Sequence, residues 1–113
     1  MNIISLNMRG LGEASKKLSL QFVLNFDLTF IILIQDTMSD APRFISYFIS
    51  ISPNWHVVVV YFCGLSRGLV ALWDPYQANF IAHKFFARLL LFGHIRGLKE
   101  RVHICNIYGP YES

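Results

Sequence analysis

Charge is scarce in this chain. Only 15% of its 113 residues are Asp, Glu, Lys or Arg, against 54% hydrophobic. That balance excludes a disordered segment, which stays unfolded because it has too little apolar surface to offset chain entropy. Acids are the scarcer sign, seven against ten Lys and Arg, for a net charge of +3. Such a charge is compatible with a polyanionic partner but does not argue for one. The basic residues are scattered, apart from a small cluster at Arg96, Lys99 and Arg101. No basic run is long enough to form a nucleic-acid-binding tail.

Cysteine is also scarce. Cys63 and Cys105 are the only two, and both stand in apolar, strand-like runs. There is no C-x-x-C pair and no cysteine–histidine spacing of the kind that holds zinc. The two read as buried free thiols in a reducing compartment, nucleus or cytoplasm. The opening "MNIISLNMRG" lacks a basic stretch followed by a long apolar one, so it does not read as a signal peptide. The longest uncharged segment, 44–66, has the length of a membrane span. It carries "SPNWH" in its middle, and Pro53–Asn54 reads as a turn, so no membrane helix is expected.

What is present is apolar material for one domain over 1–113. So greasy a composition also suits a piece of a larger domain, with part of its surface covered by another segment. Strands are expected at 2–7, 30–35, 56–62, 69–73 and 101–109, with one or two more across 79–95. The run "FIILIQ" (30–35) is apolar on successive residues, the mark of a strand buried on both faces. Ala14, Leu18 and Phe22 are spaced by four and predict a helix from Glu13 to Asn25. A short helix is expected over 43–51, and "RGLKE" (96–100) reads as a hairpin loop. The order β, α, β, α, then a run of β predicts an α/β fold, a mixed sheet covered by helices.

Polar residues at the ends of buried strands are the candidates for chemistry, because ligands of open α/β sheets collect there. Three ends qualify. They carry Asn7, then Gln35 with Asp36, then Asn106 with Tyr108. Neighbouring strands of the same polarity would bring an amide, a carboxylate and a phenol to one spot. That set suits a hard cation such as Mg²⁺, held through oxygen, beside a phosphate. The ordinary roles differ. A strand-end Asp more often caps a turn, and a strand-end Asn more often sits in one.

These ends lie inside four motifs, "NIISLNMRGLG", "LIQDT", "SRGLVALWDP" and "CNIYGP". In that order and spacing they resemble the N-terminal half of the endonuclease/exonuclease/phosphatase superfamily. The nearest likeness is to the endonuclease domains of plant LINE-type retrotransposons. The resemblance spans nearly the whole chain. It implies a partial, truncated four-layer α/β sandwich and Mg²⁺-dependent phosphodiester or phosphomonoester hydrolysis, with DNA as a partner. It places Asn7 where the family orients the metal-bound acid and the phosphate. It places Asp36 at the family's metal-binding Glu, and Tyr108 at the tyrosine that contacts the scissile phosphate.

The departures from the family pattern matter as much. Asp36 is one methylene shorter than Glu, and Mg²⁺ demands near-ideal octahedral geometry. Leu6 replaces a Trp, Arg67 replaces a Gly of the third motif, and Tyr111 replaces an Asn. The family's Asp-x-Asn and Asp-His groups are not among these 113 residues. The expectation is therefore an incomplete, retroelement-derived relative with little or no hydrolytic activity. Two alternatives stand beside it. One is an active nuclease or phosphatase completed by a missing C-terminal half. The other is a non-catalytic module that binds nucleic acid through Arg96, Lys99 and Arg101, against which the bland reading is a solvated hairpin loop.

Overall fold

A computed structural model of the chain describes residues 2–7, 29–35, 46, 49–50, 53–61 and 68–107. The strands are β1 (Asn2–Asn7), β2 (Thr29–Gln35), β3 (His56–Tyr61), β4 (Gly68–Trp73), β5 (Ala78–Phe85), β6 (Arg88–Ile95) and β7 (Val102–Ile107). They form two sheets, in the order β1-β2-β4-β3 and β5-β6-β7. The first sheet is mixed. β1 and β2 are parallel, and β4 lies antiparallel between β2 and β3. The second is an antiparallel meander.

Burial follows the sequence pattern of each strand. β2 and β4 are apolar on successive residues, and both of their faces are covered. Ile31, Ile32, Ile34 and Leu69–Leu72 are fully buried. β5 and β6 alternate instead. Ala78, Phe80, Leu89 and Leu91 point inward, and Asn79, Ile81 and Arg88 point out. The inward set meets Ile31, Leu33, Leu69, Ala71 and Trp73 of the first sheet in one core. Trp73 presents its face or edge to Phe80 in a T-shaped contact at 5.4 Å. On the other side of the first sheet, Ile32, Ile34, Val70 and Leu72 form a second cluster, completed by Trp55 and neighbouring strand residues.

The expected α/β class is overturned. The described residues form an almost wholly β, two-sheet structure with no covering helix among them. The physical reason lies in residues 78–107. Their three strands pair with one another as a separate sheet, and that sheet, not a helix, covers the inner face of the first. The helix expected over Glu13–Asn25 lies outside the described residues. Of the one expected over 43–51, only residues 46, 49 and 50 are described; their backbone is helical but forms no helix element. Among the described residues no helix is long and apolar enough to cross a membrane.

The turns obey local chemistry. Asp74 Oδ1 accepts from Tyr76 N at 2.9 Å, and the Asp74 carbonyl accepts from Gln77 and Ala78 N. This is the Asx-type turn that "DPY" predicts. In the hairpin loop Leu98 N donates to Ile95 O at 3.0 Å, with Gly97 at φ 92°, a position that favours glycine. Two strands, β5 and β6, occupy the segment 79–95, where one or two are expected, and the stretch "FFARLLLF" at its centre wraps the β5–β6 turn, with Ala87 at φ 59°. A side chain in that region costs roughly 1–2 kcal/mol. Ala87→Gly is therefore expected to stabilise the protein by about 0.5–1 kcal/mol, after the extra entropy of glycine in the unfolded chain is subtracted. The measurement is a higher urea midpoint at unchanged slope.

Cys105 corrects another expectation. It is a free thiol but an exposed one, because the alternation of β7 turns it to the outer face of the second sheet. Cys63 lies outside the described residues.

Candidate functional site

The site is built from strand ends. β1 and β2 run parallel in a register that pairs Asn7 with Gln35, so they finish level with each other. β7 belongs to the other sheet, yet its end reaches the same place. Gln35 Nε2 donates to Asn106 Oδ1 at 2.7 Å. Gln35 Nε2 also donates to Ser5 Oγ at 3.0 Å, and Ser5 Oγ donates to Gln35 Oε1 at 3.2 Å. One polar chain thus runs from β1 through β2 to β7.

Asn106 anchors that chain. It is 1% exposed, the one polar side chain buried among the described residues. It occupies an inward position of β7, two residues beyond Ile104, and pairs with the fully buried Leu89. An amide among such neighbours is costly unless its hydrogen bonds are met. They are met from the first sheet. Asn106 Nδ2 donates to Ile34 O at 3.3 Å and Val70 O at 3.1 Å, while Oδ1 accepts from Gln35. The two sheets are therefore stitched at the carboxyl ends of β1, β2 and β7.

The sequence marks Asn106 only as a strand-end amide, ordinarily a turn residue. A sharper signal was there: Val102, Ile104 and Asn106 share one face of a strand, so the amide falls on the apolar side. Asn7 is placed by its backbone alone, opposite Gln35. Asp36 and Tyr108 lie outside the described residues; in the chain they directly follow Gln35 and Ile107.

The described side chains do not by themselves fit a magnesium ion. No group of three His, Cys, Asp or Glu is found among them. The amide oxygens at this pole already accept hydrogen bonds, Asn106 Oδ1 from Gln35 and Gln35 Oε1 from Ser5. A hard divalent cation wants one or two carboxylates, and none is described here.

Arg96, Lys99 and Arg101 are all exposed, and they lie at the opposite end of the second sheet. β7 runs from beside Arg101 to Asn106, roughly 17 Å at the rise of an extended strand. The three residues therefore do not join the strand-end site. Arg96 lies over the Tyr76 ring at 4.4 Å, beside an open depression of about 280 Å³ lined also by Asn79 and His94. Arg101 lies over Phe92 at 5.5 Å. His103 also packs on Phe92, with ring centroids 4.4 Å apart, and His56 stacks on Trp73 at 5.5 Å.

No family model matches the sequence, and no curated protein does. Solved structures do match. D. rerio TDP2 complexed with a single-strand DNA product superposes with a TM-score of 0.67 at 14% identity, over 91% of this chain and 43% of that one. The fold is shared with TDP2. Truncated Caenorhabditis elegans TDP2 gives a TM-score of 0.56 at 15% identity, over 88% of this chain and 43% of that one. A second C. elegans TDP2 structure gives 0.55 at 16% identity, over 88% and 33%. TDP2 is an enzyme of the endonuclease/exonuclease/phosphatase superfold, the group that the four sequence motifs resemble. At these identities the likeness to TDP2 is one of fold. The chain spans less than half the length of these TDP2 chains.

Proposed function

We propose that this chain carries the strand-end pole of a nuclease- or phosphatase-like fold but performs little or no Mg²⁺-dependent phosphodiester hydrolysis by itself. The observation that carries this reading is the Gln35–Asn106 hydrogen bond. It holds the ends of β1, β2 and β7 together, next in sequence to Asp36 and Tyr108. In this reading Asn7 and Tyr108 face a phosphate, and Asp36 is the remnant of a metal ligand. DNA is the phosphodiester partner favoured by the TDP2 complex with single-strand DNA product. The order of the motifs supports descent from a retroelement endonuclease acting in nucleus or cytoplasm.

Weak activity follows from what the pole contains. The described groups do not make a cation site, and Asp36 adds a single short carboxylate. The 113 residues hold neither an Asp-x-Asn nor an Asp-His group of the family kind. Loss of a general base alone lowers a rate by ~10²–10⁴-fold. Incubation with supercoiled plasmid and Mg²⁺ is expected to leave the plasmid intact. Metal-dependent nicking that Asp36→Ala abolishes would overturn the proposal. Nicking that arises only on adding a polypeptide with the absent groups would instead support the active, two-part alternative.

A further inference from the structure

We infer that the chain accepts a single extended polypeptide strand along the edge of β7, over the inner face of β1. The two sheets do not end flush on this side. β3 packs over β5, β4 over β6 and β7, and β2 over β7, while β1 is the next strand outward in the first sheet. It overhangs β7 by the width of one strand, about 5 Å. The register fixes which of its residues face inward. Ile3 pairs with Ile31 and Ser5 with Leu33, both members of the core between the sheets. Ile31 and Leu33 are buried, yet Ile3 is 46% exposed and Ser5 is exposed. The overhang is thus an apolar ledge. Its wall is β7, which among the described residues pairs with β6 alone. The other side of β7 presents a row of backbone N–H and C=O groups. The strand "VHICNI" has neither the charge nor the proline that blunts an edge. At the opposite side β5 carries Lys84 and lies flush with β3.

The step selects its occupant. Its wall offers main-chain hydrogen bonds and its floor offers apolar contact, the two terms of strand addition to a sheet edge. A helix bonds its backbone internally and cannot answer the edge. A nucleic acid would find no cation on β1 or β7. A second copy cannot enter by pairing its own β7 here. That β7 lies under its own β2, tied through Gln35 and Asn106, and the two-fold mate of β2 would need the space that β1 fills. What fits is one strand with no second layer on the face that meets β1. Its inward side chains rest on Ile3 and flank Val102 and Ile104, so alternate positions are apolar. Its outward ones flank His103, Cys105 and Ile107. The length of β7 gives room for about six residues, roughly 20 Å at strand rise. This inference goes beyond the strand-end chemistry and needs no metal.

The test uses the full chain and a fluorescein-labelled peptide of about ten residues, alternating valine and threonine with a lysine at each end, read by polarisation. The same peptide N-methylated at every residue keeps its side chains but loses its backbone donors, and is expected to bind at least tenfold more weakly. Ile3→Lys puts a charge on the ledge and is expected to weaken binding at least tenfold. Ile81→Lys, on the outer face of β5, is expected to bind as the parent does. Thermal melting checks that both variants fold. Cys105 reports the location. In a Cys63→Ser chain it is the sole thiol. A central threonine of the peptide replaced by cysteine is expected to join it at least tenfold faster than a central valine so replaced, because only the outward position brings the two thiols within disulfide reach. Oxidised glutathione is the oxidant; the two thiols form one disulfide as it is reduced to two thiols. No binding of the parent peptide, equal binding of the N-methylated one, unaltered binding in Ile3→Lys, loss in Ile81→Lys, or equal cross-linking rates would each overturn the inference. So would self-association of the chain alone that Ile3→Lys abolishes, since it would assign the step to a second copy.

Discussion

Asn106→Ala is expected to lower the free energy of unfolding by about 3–5 kcal/mol. Three hydrogen bonds disappear together. Ile34 O and Val70 O lose a donor, and Gln35 Nε2 loses its shortest acceptor. A buried group left unsatisfied costs roughly 1–3 kcal/mol, whereas a net hydrogen bond contributes only about 1 kcal/mol, so the orphaned partners dominate the loss. A domain holds only about 5–15 kcal/mol in total, and the variant would stand at the edge of folding. Gln35→Ala is the control. Gln35 is only partly buried, so water can replace its amide, and about 1–2 kcal/mol is expected there. Urea denaturation of both variants reads the difference. A loss below 1 kcal/mol at Asn106 would show that the sheets are not tied through this amide.

Gly93→Val is expected to cost about 3 kcal/mol, the upper part of the range for overpacking. A Cβ at Gly93 would run into the carbonyl oxygen of Asn79 and stand 2.9 Å from Phe80 Cα. Both are backbone atoms of β5, so no side chain can swing aside. The strands must separate, and the pairing of Phe80 with Gly93 is lost. Gly97→Ala is the comparison. Nothing lies within 4 Å of its added Cβ, so only the positive φ is strained, at roughly 1–2 kcal/mol. Thermal or urea melting with a strand-sensitive circular dichroism signal checks the order of the two. Equal losses would mean that β5 and β6 part freely at this point.

Much of the local structure was legible. The run 30–35 announced a strand buried on both faces, and β2 is one from Ile31 to Ile34. "DPY" announced the turn at Asp74, and "RGLKE" the loop around Gly97. Each is decided by residues within a few positions of one another. The β5–β6 turn was less legible because Phe86 and Ala87 are not turn-forming types. Packing of the flanking strands imposes the bend, and Ala87 takes the strain.

The candidate site was legible in outline. The strand ends at Asn7, Gln35 and Asn106 were identifiable from apolar runs that stop on polar residues. How Asn106 is bonded was not. It depends on contact with Gln35, 71 residues away. The basic cluster shows the same limit from the other side. Arg96, Lys99 and Arg101 are close in sequence to Asn106, but an extended strand carries them to the far end of the sheet.

The sequence by itself determined where strands form, the turns at Asp74 and Gly97, and which residues end the buried strands. These depend on side-chain branching, apolar succession and turn chemistry, all local. Only the tertiary structure decided that a second sheet, not a helix, covers the inner face of the first. It alone brought Asn106 to Gln35, Ile34 and Val70. The reason is register: neighbouring strand residues point to opposite faces, so a shift of one residue exchanges core for surface. Alternation within β7 shows which of its residues share a face, but which residues of the other sheet they meet is set by partners distant in the chain.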